Sequence, residues 1–184
     1  ELYAAIGYGG ITVNRILPRI REEYDRLTEA YMKRHREGRG FWFFHFNMDL
    51  SNGPCVAKRL SGCGAGHEYV AVAENGDLYP CHQFVGREGY KLGDIYEGIT
   101  NTELPQYFRE SHVLNKEKCR DCWARFFCSG GCHANADLFH GDIRKPYEVG
   151  CEIQKKRLEG AILVQALLAL EKMEKEEQTT ADGE

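Results

Sequence analysis

The sequence predicts an α+β fold in three stretches. Residues 1–50 read as the last α/β unit of a larger domain, 51–155 as a cysteine-rich domain, and 156–184 as a long C-terminal helix with a polar tail. Three observations predict it. A helical period near the start leads into a continuous apolar run. Eight cysteines then follow one ordered pattern. The chain closes on a long stretch of helical composition.

Pro18 suits a first helical residue, because its fixed φ and missing N–H are tolerated there. Ile20, Tyr24, Leu27 and Tyr31 recur at steps of four, three and four, which predicts an amphipathic helix to about Arg36. Gly38 and Gly40 end it. The run Phe41-Trp-Phe-Phe-His-Phe46 has no alternation. A short apolar run bounded by glycine predicts a strand buried on both faces, as in a parallel sheet. Such a strand needs neighbours, and helix-then-strand is one crossover unit of an α/β fold. The remaining sequence offers no further unit of that kind, and the chain opens on Glu1 rather than Met. The expectation is therefore a fragment. A strand in a small mixed sheet is the alternative for 41–46.

The cysteine-rich part begins near Asp49. Residues 69–73 and 77–79 flank Glu74-Asn75-Gly76, and Asn-Gly between such segments predicts a β-hairpin. Cys81 then falls at the end of the second strand. Residues 103–111 predict a helix disturbed near its start by Pro105. The stretch 118–132 is too rich in cysteine and glycine for regular structure throughout, so ligands rather than a core should hold it. A helix is expected from about Glu152 to about Glu176, apolar nearly all round in its middle and therefore mostly buried. The polar residues 177–184 should fray.

Apolar residues make up 42% of the chain, enough for a core, and the net charge is −4. That charge gives no electrostatic footprint for nucleic acid. The basic residues over 15–39 are interleaved with Glu22, Glu23, Asp25 and Glu29, as on a solvated helix face. The longest apolar stretch, 161–170, holds Gln165 and is too short to span a bilayer. The opening residues lack the charged-then-apolar order of a signal peptide. A cytoplasmic, reducing setting is expected, where dense cysteines read as metal ligands rather than disulfides.

The cysteines run Cys63-x12-Gly76-x4-Cys81, then Cys119-x2-Cys122-x5-Cys128-x3-Cys132, then Cys151 after eighteen residues, with Cys55 upstream. Close spacing brings several sulfurs together without a large loop-closure cost. Eight thiolates also match two four-ligand centres. Four thiolates suit either zinc or an iron–sulfur cluster. Zinc ribbons favour two C-x2-C knuckles, whereas this chain has one.

This order resembles the SPASM domain of radical S-adenosylmethionine enzymes, in which a cysteine and a glycine precede x4-C, followed by C-x2-C-x5-C-x3-C and a last cysteine. Every element is present, and the resemblance covers residues 55–155. It implies two auxiliary 4Fe–4S clusters. Cys119, Cys122, Cys128 and Cys151 would bind the outer one. Cys63, Cys81 and Cys132 would bind the inner one. Cys55 would complete the inner cluster, or that cluster would keep one iron open for a substrate thiolate. The stretches Ser51-Asn-Gly-Pro-Cys55, Lys58-Arg-Leu-Ser-Gly-Cys63-Gly-Ala-Gly-His-Glu-Tyr69 and Tyr79-Pro-Cys81-His-Gln-Phe-Val-Gly86 are similar to the SCIFF maturases. Those enzymes join a cysteine sulfur to a threonine α-carbon in a cysteine-rich precursor peptide.

The resemblance implies that peptide and an electron donor or acceptor protein as partners. S-adenosylmethionine and a third 4Fe–4S cluster would sit in a missing N-terminal barrel, of which 1–50 would be the remnant. The C-x3-C-x2-C motif that binds that cluster is absent, since Asn135 stands where Cys128-x3-Cys132 would need its third cysteine. Two other readings remain. One is a structural zinc module that mediates protein binding. The other is a SPASM enzyme with a different protein substrate, such as a sulfatase-like protein.

Single residues carry weaker expectations. His82 and His133, each beside a cysteine, read as packed or hydrogen-bonded, with ligation as the alternative. His45 reads as a satisfied core histidine. Asp49 reads as a loop cap and Gly9-Gly10 as a turn, each with a contact to substrate or cofactor as the alternative. Trp42, Trp123, Phe126 and Phe127 are expected to shield the metal sites from water.

Overall fold

The computed structural model describes residues 13–48 and 55–181. It divides into two compact units. One holds 13–48 together with 152–181, and the other holds 55–151. Gly9, Gly10, Asp49 and 51–54 lie outside the described residues.

In the first unit the predicted amphipathic helix is α1 (Val13–Arg36). Pro18 lies inside it rather than at its start. Gly38 ends it at φ +70°. Its N–H donates to His35 O at 3.0 Å, and the Arg39 N–H donates to Arg34 O at 2.9 Å. That pair of bonds is a Schellman stop, which glycine's left-handed freedom permits.

The strand expected over 41–46 does not form. Phe43 O accepts from the N–H groups of Phe46 (3.0 Å) and Asn47 (3.2 Å), so the run closes as a turn. A strand needs a ladder partner, and none of the described strands pairs with it. Its aromatic rings pack instead. Phe46, 1% exposed, meets Tyr31 edge-on at 5.3 Å and Phe43 at 5.1 Å.

The long C-terminal helix (Glu148–Ala181) starts and ends beyond its expected bounds. Residues 152–181 run parallel to α1, because the ion-paired positions rise together: Arg21 with Glu152, Asp25 with Lys156 at 2.5 Å, and Arg36 with Glu171 at 2.7 Å. Tyr31, Met32, Phe46, Ala161 and Val164 form the core between them. The helix is less buried than its composition suggests. Leu158, Ala161 and Val164 are buried, whereas Ile162, Leu163, Leu170 and Met173 are exposed. A single neighbouring helix covers only one stripe.

Gly160 sets the closeness of that packing. A Cβ there would meet Phe46 Cε1 at 2.9 Å and Thr28 Oγ1 at 3.1 Å. Alanine favours helix by about 1 kcal/mol over glycine, yet Gly160→Ala should give no gain in urea midpoint. Gly160→Val should lower stability by about 1–3 kcal/mol through overpacking. A rise in midpoint for Gly160→Val would show that the two helices separate freely.

In the second unit α2 (Val56–Arg59) precedes a four-stranded antiparallel sheet in the order β1-β2-β3-β4. The expected hairpin is β1 (Ala71–Val72) and β2 (Asp77–Tyr79). Gly76 closes it at φ +86°, with its N–H on Ala73 O at 2.9 Å. A second hairpin, β3 (Gly93–Asp94) and β4 (Gly98–Ile99), was not anticipated. Asp94 Oδ1 builds it by accepting from the N–H groups of Tyr96 and Glu97, the turn chemistry of aspartate. The helices α3 (Glu103–Glu110), α4 (Glu117–Arg120), α5 (Arg125–Cys128) and α6 (His133–His140) follow.

The core of this unit gathers Ala65, Tyr79, Phe84, Phe108, Ala134 and Ile143 around the buried Cys81. Asp137 ties it at one side, accepting from Arg87 and from the Tyr90 hydroxyl. Mixed helix and small antiparallel sheet make the chain α+β. No helix among the described residues is long and apolar enough to cross a membrane.

Candidate metal centres

The eight cysteines all lie in the second unit, and no disulfide joins any of them. Short structures present them. Cys81 immediately follows β2 and Pro80 and leads into a 3₁₀ turn, His82–Phe84. Cys119 lies in α4, Cys122 follows that helix, and Cys128 ends α5. Cys132 precedes the first residue of α6. The backbone steps from one thiol to the next by single hydrogen bonds: Cys119 N–H to Lys116 O at 2.9 Å, Cys122 N–H to Cys119 O at 3.0 Å, Arg125 N–H to Cys122 O at 3.2 Å. The stretch is thus built from single helical turns rather than one continuous element.

The link from Cys128 to Cys132 is unusual. Ser129, Gly130 and Gly131 take φ of +59°, +88° and +72°. Ser129 is the one non-glycine residue with positive φ among those described, a conformation that L side chains rarely adopt. In a continuous helix, residues four apart share one face. Three successive left-handed residues break that relation between Cys128 and Cys132.

The electrostatics show which groups lie near one another. Burial pushes the Cys81 thiol up, the backbone N–H groups of Gln83 and Phe84 oppose this, and the charges of Cys132 and Cys63 push it further up. The Tyr69 hydroxyl is pushed up to about 12, first by burial and then by Cys63, Cys81 and Cys132. Burial also raises Cys119; the Lys116 charge opposes this, and Cys128 and Cys122 reinforce it. Lys118, held up by Glu148, also feels Cys151. Cys63 and Cys132 thus act on Cys81, and Cys122 and Cys128 act on Cys119, while Lys116 feels members of both sets. Cys55 is exposed and is not among the strongest influences on the first group. The thiols are grouped but not converged, since no three His, Cys, Asp or Glu side chains among the described residues are placed to hold a single metal ion.

Between the groups lies Lys116, only 1% exposed, whose Nζ donates to Gly130 O at 3.1 Å. Burial lowers its pKa, while Cys119, Cys128, Cys63 and Cys132 favour its charged form. A buried cation amid thiols suits an anionic thiolate centre, so the donor set fits a cysteine-ligated cluster. Sequence reasoning missed Lys116, because its neighbours Glu117 and Lys118 make it look solvated.

The histidines are not placed as ligands. His133 is buried and its Nε2 pairs with Ser111 O at 3.1 Å. Its pKa falls to about 4, chiefly by burial and then by Lys116. His82 is exposed. His45 Nδ1 pairs with the Tyr24 hydroxyl at 2.9 Å, and burial and Arg157 hold its pKa down. The expected shielding aromatics differ as well. Trp42 is 75% and Trp123 51% exposed, and Phe126 and Phe127 are half-buried. Beside Cys63 a cleft of about 610 Å³ is lined by Lys58, His67, Glu68, Arg109 and His112, among others.

Comparison with known proteins agrees with this chemistry. The SPASM family, an iron-sulfur cluster-binding domain, matches residues 63–123. An uncharacterized protein of Archaeoglobus fulgidus is 32% identical over 101 residues, covering 53% of this chain and 24% of the relative. A cysteine-type anaerobic sulfatase-maturating enzyme of Clostridium novyi is 28% identical over 123 residues, covering 61% of this chain and 31% of the enzyme. The alignments thus take in 24% and 31% of the length of these curated relatives. Residues 63–123 are thus similar to an iron–sulfur cluster-binding domain of the SPASM type.

Proposed function

We propose that this chain is the auxiliary-cluster part of a radical S-adenosylmethionine enzyme that modifies a cysteine-bearing peptide or protein. Cys119, Cys122, Cys128 and Cys151 would hold one 4Fe–4S cluster, and Cys63, Cys81 and Cys132 the other. Cys55 would supply the fourth inner ligand, or leave that place to a substrate thiolate. When bound, such clusters supply electron transfer and a Lewis-acidic site for a thiolate. The chain's own residues do the positioning. The left-handed link at 129–131 directs Cys128 and Cys132 apart, and Lys116 offsets thiolate charge. The basic side chains around Cys63 give an approaching anionic group a favourable field.

The observation that supports this reading is the match of residues 63–123, which include Cys63, Cys81, Cys119 and Cys122, to an iron–sulfur cluster-binding domain. Residues 1–50 are proposed as the remnant of the barrel, and the catalytic S-adenosylmethionine site would belong to the rest of that barrel. The finer substrate is a cysteine-rich precursor peptide cross-linked from cysteine to threonine. The likeness to the Clostridium novyi sulfatase-maturating enzyme favours a second reading, in which the substrate is a sulfatase-type protein. A cytoplasmic location and an electron-transfer protein as partner belong to either reading.

Anaerobic incubation with iron and sulfide should give a brown protein holding about eight irons per chain, with four thiolates for each 4Fe–4S cluster. Iron, sulfide and zinc analysis checks this. Tight uptake of about two zinc ions without sulfide would instead select the structural zinc module.

A further inference from the structure

We propose that Lys116 is a charge-compensating residue shared by the two cysteine groups, its buried ammonium raising the reduction potential of both clusters. The inference rests on the iron–sulfur reading above and deepens it.

The geometry places Lys116 where three cysteine-bearing loops meet. Its own carbonyl accepts from the N–H groups of Cys119 and Arg120 at 2.9 Å, which fixes it at the start of α4. Its Nζ holds Gly130 O at 3.1 Å, in the link between Cys128 and Cys132. That link carries the third loop. A Cβ on Gly62, next to Cys63, would meet Ser129 O at 3.3 Å and Gly131 O at 3.7 Å. The Val113 N–H donates to Leu60 O at 2.9 Å, which ties the approach to Lys116 onto the same loop.

An ammonium has three donors, and one is used on Gly130. A charge this buried is strongly unfavourable unless it is compensated. Among the described residues no carboxylate pairs with it, and the negative charges that act on it are those of Cys119, Cys128, Cys63 and Cys132. These come from both groups of thiols. One fixed positive charge that both centres feel makes adding an electron to either more favourable, because reduction adds negative charge without adding a ligand. The low dielectric of a buried site enlarges the effect.

The test compares wild type, Lys116→Met and Lys116→Arg, each loaded anaerobically with iron and sulfide. Methionine keeps an unbranched apolar stem and loses the charge; arginine keeps the charge. Iron and sulfide are counted, and each cluster is titrated with dithionite under EPR. For Lys116→Met the equilibrium constant for one-electron reduction should fall at least tenfold at both centres, 59 mV to the negative side. Lys116→Arg should stay near wild type. Unchanged potentials in Lys116→Met overturn the proposal, and a shift at one centre alone overturns the shared role. If Lys116→Met holds little iron, retention by Lys116→Arg supports the charge, and equal loss in both variants assigns Lys116 to packing and overturns it. A wild-type chain that takes up no iron and sulfide overturns the iron–sulfur reading itself, and this proposal with it.

Discussion

Cys128→Ala should lose iron from both centres rather than one. The segment explains why. Cys128 ends α5 with its N–H on Ala124 O at 2.8 Å, and the Ser129 N–H follows onto Arg125 O at 2.7 Å. Beyond it the backbone stays left-handed through Gly131 up to Cys132, which the proposed reading gives to the other cluster. A serine at φ +59° is strained by roughly 1–3 kcal/mol unless its surroundings hold it there. Metal ligation at Cys128 would be one such restraint, and Lys116 on Gly130 O is another. Because metal binding and folding are coupled, losing the Cys128 ligand frees the link and misplaces Cys132. Iron should fall from about eight to under about four per chain, with both cluster signals disturbed. Retention of one fully native cluster, with unchanged thermal unfolding, would show that the link transmits nothing.

Phe108→Ala should be the most damaging substitution outside the cysteines. The ring is fully buried and meets Phe84 and His133 at 5.4 Å, both edge-on, and Tyr90 at 6.2 Å. It also lies against the backbone of Gly66, where a Cβ would come within 3.1 Å of its Cγ. Its removal leaves a cavity beside Cys81 and Ala134, which belong to the same core. Phe→Ala in such a site costs about 3–5 kcal/mol, against a total stability of roughly 5–15 kcal/mol for a domain. Urea unfolding of the loaded protein should show this loss, together with weaker iron retention. A loss under about 1 kcal/mol would mean that ligands rather than this core hold the unit.

Much of the site was legible in the sequence because metal ligation is a matter of residue type and spacing. The eight cysteines, the hairpin turn at Asn75-Gly76 and the helix ending at Gly38 each follow from local chemistry that needs no distant partner. The same holds for α3 over Glu103–Glu110, which keeps Pro105 within its first turn. Local rules failed where the outcome depended on neighbours. The run 41–46 has the composition of a buried strand, yet without a ladder partner its rings pack as a turn. The second hairpin hid behind glycines and one aspartate whose side chain caps the turn. The apolar helix at 161–170 looked buried all round, but one partner helix covers one stripe of it.

The sequence by itself determined which atoms can bind metal and that they belong to one cysteine-rich domain, since spacing sets which thiols the chain can bring close. Only the tertiary structure decided the backbone path between Cys128 and Cys132. The left-handed run at Ser129, Gly130 and Gly131 breaks the helical relation between Cys128 and Cys132, although residues four apart would meet on a helix. It also decided that Lys116, one of three charged residues in a row, is buried between the two groups while Glu117 and Lys118 remain exposed. Burial depends on which loops close over a side chain, and that closure is set by contacts distant in sequence.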